Sequence, residues 1–143
     1  MAYFRDAQDV YDTIGRLFVD LSNDDELAPK FRKANTIVQY NHREPDAVIT
    51  VKLKEDEPVE IDFGETEMEP EVVMSMESDT AHRFWLGQVN VTVALARGQI
   101  KASGPVAKIL KLVPLTKPVY PRYKALLEAQ GRGDLAIPPE VPA

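Results

Sequence analysis

Glu77, Asp79 and His82 fall within one short stretch, and two carboxylates beside an imidazole are residue types that move protons in general acid–base catalysis. They are the one titratable cluster that intrinsic catalysis could use, provided a pocket perturbs them. No nucleophile completes the group. The chain has no cysteine, so covalent catalysis would fall to a serine, threonine or lysine with a neighbouring base, and disulfides and thiolate metal sites are excluded. His42 stands at the end of a strand, where a surface position is expected. His82 lies one turn into a helix, where packing or solvent contact is the ordinary role. Neither histidine is followed by the Glu or second His that a zinc-binding helix requires. The expectation is a protein with no catalytic residue, no metal and no cofactor.

Three other patterns invite chemistry and resist it. Gly98 and Gly104 bracket a short strand, whereas a phosphate cradle joins a strand to a helix N-terminus through several glycines. The acidic run from Glu55 to Glu71 has the oxygen ligands of a calcium loop, but Val59, Ile61 and Phe63 interleave the carboxylates at strand spacing. It reads as the solvated face of edge strands, where charge also discourages edge-to-edge pairing. The Arg132–Gly133–Asp134 tripeptide is a chance match to an adhesion motif. Arg83, Arg97 and Lys101 are candidates to pair with a carboxylate, with solvated surface charge as their plainer role.

The elements that would position these residues follow from periodicity. Val10, Ile14, Leu17, Phe18 and Leu21 repeat at three-to-four spacing, which predicts an amphipathic helix over residues 6–21. Asn23 or Asp24 can cap a second helix bearing Leu27 and Phe31. The period then becomes two. Thr36, Val38, Tyr40 and His42 share one face, Ala47, Ile49, Val51 and Leu53 another, and Val59–Phe63 and Val72–Met76 alternate likewise. With Glu44–Asp46 as a hairpin turn, these runs predict a four-strand antiparallel meander with one buried face. Asp79 is a candidate N-cap for the helix that follows, Asn90 for the next, and Pro105 suits the first position of a later helix. The segment Gly98–Gly104 reads as a buried strand returning to the sheet between two tight turns. A helix carrying Tyr123, Leu126 and Leu127 ends near Gly131. Residues 1–131 are thus read as one domain and 132–143 as a proline-rich mobile tail.

Length and charge bound the function. The chain has 143 residues, 44% hydrophobic and 28% charged, which is about one globular domain. A net charge of −6 disfavours nucleic acid or anionic membrane as the main partner. No signal-peptide pattern opens the chain, and no run reaches the roughly 20 apolar residues of a membrane span. A cytoplasmic location without stable membrane insertion is expected. The second half is unusually apolar: VNVTVALA and VAKILKLVPL show no single narrow stripe, so these helices must be covered on several sides. They either sandwich one another as ordinary core or enclose a cavity.

The order helix–helix, strands, short helices, a glycine-bracketed strand and apolar helices resembles the sterol carrier protein type-two lipid-transfer domain. Asp79 after VVMSMES, HRFWLG ending at Gly87, the helix VTVALARG and the Gly98–Gly104 segment carry the likeness, which runs from about Asp24 to Gly131. Pro105 departs from it, standing where family members often carry Asp or Asn, and the Val-Pro-Ala ending is unlike a peroxisomal signal. The resemblance implies an α/β (α+β) fold: a five-stranded, mostly antiparallel sheet with helices packed over one face and an apolar tunnel between them. It further implies a non-catalytic carrier of a lipid-like small molecule such as a fatty acid, acyl-CoA or sterol-like ligand. The wall residues would be Met74, Met76, Phe84, Trp85, Leu86, Val89, Val93, Ile100, Ile109, Leu112, Tyr123 and Leu127, with the last helix as a mobile cover. The alternatives are a protein-interaction or homodimerisation module, or an accessory domain to a separate enzyme.

Overall fold

The three-to-four spacing of the first apolar stripe is realised as one continuous helical segment in the computed structural model, which describes residues 3–136. It comprises α1 (Ala7–Val10), a π-helical turn (Tyr11–Gly15) and α2 (Arg16–Ser22). Val10, Ile14, Leu17, Phe18 and Leu21 are all buried. Asp6 caps the start by accepting from the Asp9 amide at 2.9 Å. The Thr13 hydroxyl donates back to the Asp9 carbonyl at 2.8 Å where the helix widens. Helix α3 (Leu27–Arg32) follows, and the Asp24 carboxylate accepts from the Leu27 amide at 2.7 Å.

The five strands are β1 (Thr36–Arg43), β2 (Ala47–Leu53), β3 (Glu60–Phe63), β4 (Val72–Glu77) and β5 (Ile100–Ser103), in the spatial order β3-β2-β1-β4-β5. Only β1 to β3 form a meander. The fourth strand, expected next to β3, instead crosses to the far edge of β1 and pairs with it in parallel, Tyr40 opposite Met74 and His42 opposite Met76. The reason is burial: between β1 and β5 the row Val72, Met74 and Met76 is covered, while the carboxylates of Glu60 and Asp62 suit β3 to an edge. One cross-sheet row thus runs Phe63, Ile49, Tyr40, Met74, Ala102 on the helix-covered side. The three remaining pairs are antiparallel, so the sheet is mixed and mostly antiparallel.

Strand β5 is an edge and not a buried strand; of its residues only Ile100 is fully buried. The glycines on either side work differently. Gly98 has φ 75° in open space, as a helix-ending residue does. Gly104 has φ 99°, and a Cβ built on it would lie 2.1 Å from the Glu71 carbonyl oxygen. The close approach of two backbones holds β5 against β4 there.

Helices α4 (Ser78–Trp85), α5 (Val91–Ala96), α6 (Val106–Leu112), a 3₁₀ segment (Val113–Val119), α7 (Tyr120–Ala129) and α8 (Gly133–Ala136) complete the chain. Asn90 caps α5 as expected, accepting from the Val93 amide at 3.1 Å. Asp79 is not a cap. It lies inside α4, where its carboxylate accepts from the Tyr3 amide at 2.9 Å and ties down the N-terminal segment. Pro105 is one position before the helix it was expected to begin. Residues 132–136 belong to the packed domain: Leu135 and Ala136 are buried, and Arg132 binds Asp9 at 2.7 Å. The rest of the expected tail, residues 137–143, lies outside the described residues. Among the described residues no helix is long and apolar enough to cross a membrane.

Candidate functional site

The helix-covered face of the sheet does not close completely on its helices. A cavity of about 90 Å³ remains, floored by Tyr40, Val51, Leu53, Met74, Met76 and Ile100. Its other walls come from every neighbouring layer: Phe18 and Leu21 of α2, Ala28 and Phe31 of α3, Ala81, Phe84 and Trp85 of α4, Val91 of α5, Ile109 and Leu112 of α6, and Thr116 of the 3₁₀ segment. No lining residue carries a charge. Ser22 and Thr116 spend their hydroxyl hydrogens on the Val19 and Val113 carbonyls, each at 2.6 Å. The volume is below the ~300–1,000 Å³ of small-molecule pockets, so a molecule of lipid size enters only as the walls give. The unbranched Met74 and Met76 are suited to give.

Seven of the twelve residues singled out from the sequence meet at this cavity: Met74, Met76, Phe84, Trp85, Ile100, Ile109 and Leu112. The other five do not line it. Val93 is 43% exposed, because Val91 and Ala94 are the inward positions of the short α5. Leu86 and Val89 are half-buried in the link between α4 and α5, beside the wall. Tyr123 and Leu127 are fully buried, but in a separate region where Tyr123 meets His82. Sequence reasoning also missed Phe18, Leu21 and Phe31, which it placed on the two helices before the sheet without counting them among the wall residues.

The titratable cluster is not at this cavity. His82 is fully buried, its two ring nitrogens held by the Tyr123 hydroxyl at 2.8 Å and the Leu135 carbonyl at 2.9 Å. Burial pushes its pKa down to about 4. His42, expected at the surface, is also buried, with Nδ1 3.0 Å from the Ala47 carbonyl, and burial lowers its pKa. It sits inside because the return of β4 covers the end of β1. Arg97 and Lys101 are exposed, Arg83 is half-buried, and none of the three lines the cavity. Among the described residues no group of histidine, aspartate and glutamate side chains is placed to hold a metal ion. Charge is nonetheless sorted along the chain. Residues 80–127 contain no aspartate or glutamate, yet carry Arg83, Arg97, Lys101, Lys108, Lys111, Lys117, Arg122 and Lys124.

Residues 16–117, from α2 through most of the 3₁₀ segment, match the SCP-2 sterol transfer family. The chain belongs to that family. The SCP-2 match covers the whole sheet and every element lining the cavity, and leaves α1, α7 and α8 outside it. Solved SCP-2 structures share the fold. The sterol carrier protein domain 2 of Helicoverpa armigera superposes with a TM-score of 0.65 at 16% identity, covering 85% of this chain and 97% of its own. Sterol carrier protein 2 from Yarrowia lipolytica, in its apo form, gives 0.60 at 18% identity over 80% and 91%. A palmitated SCP2L2 from Aedes aegypti gives 0.57 at 21% identity over 76% and 94%. No curated protein matches the chain.

Proposed function

We propose that this SCP-2 family member is a non-catalytic carrier that holds a lipid-like molecule, such as a fatty acid, acyl-CoA or sterol-like ligand, between its sheet and its helices. The observation that carries this reading is the uncharged wall of the cavity, assembled from the sheet, five α-helices and the 3₁₀ segment. Such a lining gains free energy from almost any apolar surface it covers, about 0.8 kcal/mol per methylene, without fixing a reaction. A chain of ~12 carbons offers ~10 kcal/mol gross, and the costs of association and ordering bring that near micromolar affinity. A carrier must also release.

The non-catalytic part is supported by the fate of the acid–base cluster. Asp79 is engaged with the Tyr3 amide, and His82 is locked between Tyr123 and Leu135. Native mass spectrometry of the purified protein, with extraction and identification of what leaves it, tests the carrier reading. A small apolar molecule near one per chain supports it. A bare mass, with no displacement of a fluorescent fatty acid at micromolar concentration, rejects it.

A further inference from the structure

Tyr40 stands at the centre of the sheet, opposite Ile49 on one side and Met74 on the other, and lines the cavity floor. The tyrosine hydroxyls of Tyr11, Tyr120 and Tyr123 meet the Val48 amide, Thr116 and His82 respectively. The Tyr40 hydroxyl makes no hydrogen bond among the described residues, and its oxygen is not sealed from open space. Burial alone pushes its pKa up to about 12, so it keeps its hydrogen. Trp85 also lines the cavity. Both rings pack on Phe18 at 5.2 Å. With no protein partner, the Tyr40 hydroxyl is left to water or to an incoming ligand. An alkane that displaces the water leaves it unpaired, whereas a ligand oxygen at that place restores the hydrogen bond.

Charge decides which oxygen. With no cation on the lining, a carboxylate or phosphate brought to Tyr40 would lose its hydration and gain no counter-ion. A carbonyl or hydroxyl oxygen incurs no such loss. We propose that Tyr40 is the specificity-determining contact of this cavity, donating its hydroxyl hydrogen to the single uncharged oxygen of an otherwise apolar ligand: an alcohol, ketone or ester. This rests on the carrier reading and narrows it. An ionised amphiphile then binds only with its head outside the cavity, away from Tyr40.

The test uses the full chain and Tyr40→Phe, which removes one oxygen and keeps the ring. Hexadecanol, hexadecane and ionised hexadecanoate compete with an uncharged fluorescent hydrocarbon dye. The expected result is hexadecanol binding about tenfold tighter than hexadecane to the parent protein, a difference lost in Tyr40→Phe while hexadecane and hexadecanoate are unaffected. Equal binding of alcohol and alkane to the parent protein overturns the proposal without any variant, as does full alcohol preference in Tyr40→Phe. If dye and competitors all fail to bind the parent protein, the carrier reading falls first and this assignment with it.

Discussion

The Nε2 atom of His82 lies 2.9 Å from the carbonyl oxygen of Leu135. A carbonyl only accepts, so Nε2 carries a ring hydrogen, and in the neutral ring Nδ1 is left bare to receive the Tyr123 hydroxyl at 2.8 Å. Burial keeps the imidazole neutral in this arrangement. It joins α4, α7 and α8 through one ring, with the aromatic rings of Tyr3 and Phe4 packed on it at 4.7 and 5.4 Å.

Acid should therefore weaken the fold through His82. Its ordinary pKa is 6.5, and burial brings it to about 4 in the folded chain. Between those values the unfolded chain takes a proton that the folded chain refuses. The stabilisation is complete above the unfolded value and declines as pH falls, by about 3 kcal/mol once pH is below 4. Urea midpoints at several pH values measure the slope. His82→Gln, which can donate to Leu135 and accept from Tyr123 without titrating, should flatten it. An equal slope in both proteins would show that another group is responsible.

The C-terminal turn should be structural. Burial raises the Asp9 carboxyl, but its hydrogen bonds to Arg132 and the Arg5 amide outweigh that and hold it below the usual range. Arg132→Ala leaves this carboxylate, 4% exposed, with one cation fewer, and should cost about 2 kcal/mol by chemical denaturation. A chain ending at Gly131 should lose more, since it also lacks Leu135. Unchanged stability on that truncation would mean that residues 132–136 do not support the domain.

Gly98→Ala and Gly104→Ala should separate conformational strain from collision. Both positions have positive φ, but only Gly104 faces backbone, at 2.1 Å. Alanine at 98 should cost about 1 kcal/mol and at 104 at least about 3 kcal/mol, read from thermal or urea unfolding. Similar costs at the two sites would remove the close β4–β5 approach as the reason for Gly104.

Filling the cavity should be distinguishable from decorating its outside. Ala81 is 1% exposed and lines the wall, so Ala81→Leu should weaken fluorescent fatty-acid binding at least about tenfold while costing about 1–3 kcal/mol of stability. Val93→Trp, on the exposed side of α5, should leave binding unchanged. The opposite ranking would move the binding site elsewhere.

The three-to-four stripe of α1 and α2 and the alternation of β1, β2 and β4 are legible because side-chain direction is a local property. Partnership is not. Nothing in residues 72–76 says that β4 lies beside β1, so the parallel pair and the burial of His42 beneath it stay hidden from the sequence. The cavity is half legible for the same reason. Met74, Met76 and Ile100 stand out as inward strand positions, but Phe18 and Phe31 look identical whether they fill a core or face a void. Tyr123 and Leu127 show the converse: apolar spacing that serves the joining of α4, α7 and α8, away from the cavity.

The sorting of charge has a consequence for motion. The acidic residues from Glu55 to Glu67 lie on either side of and within β3, while Arg97 and Lys101 flank and occupy β5, and these are the two opposite edges of the sheet. The two sheet edges therefore differ in local charge, against a net charge of −6. Near a negatively charged surface the net charge is repelled, while the two edges feel different local forces within a screening distance of ~8 Å at physiological salt. At such a surface this difference favours approach by the edge bearing β5 over approach by the edge bearing β3.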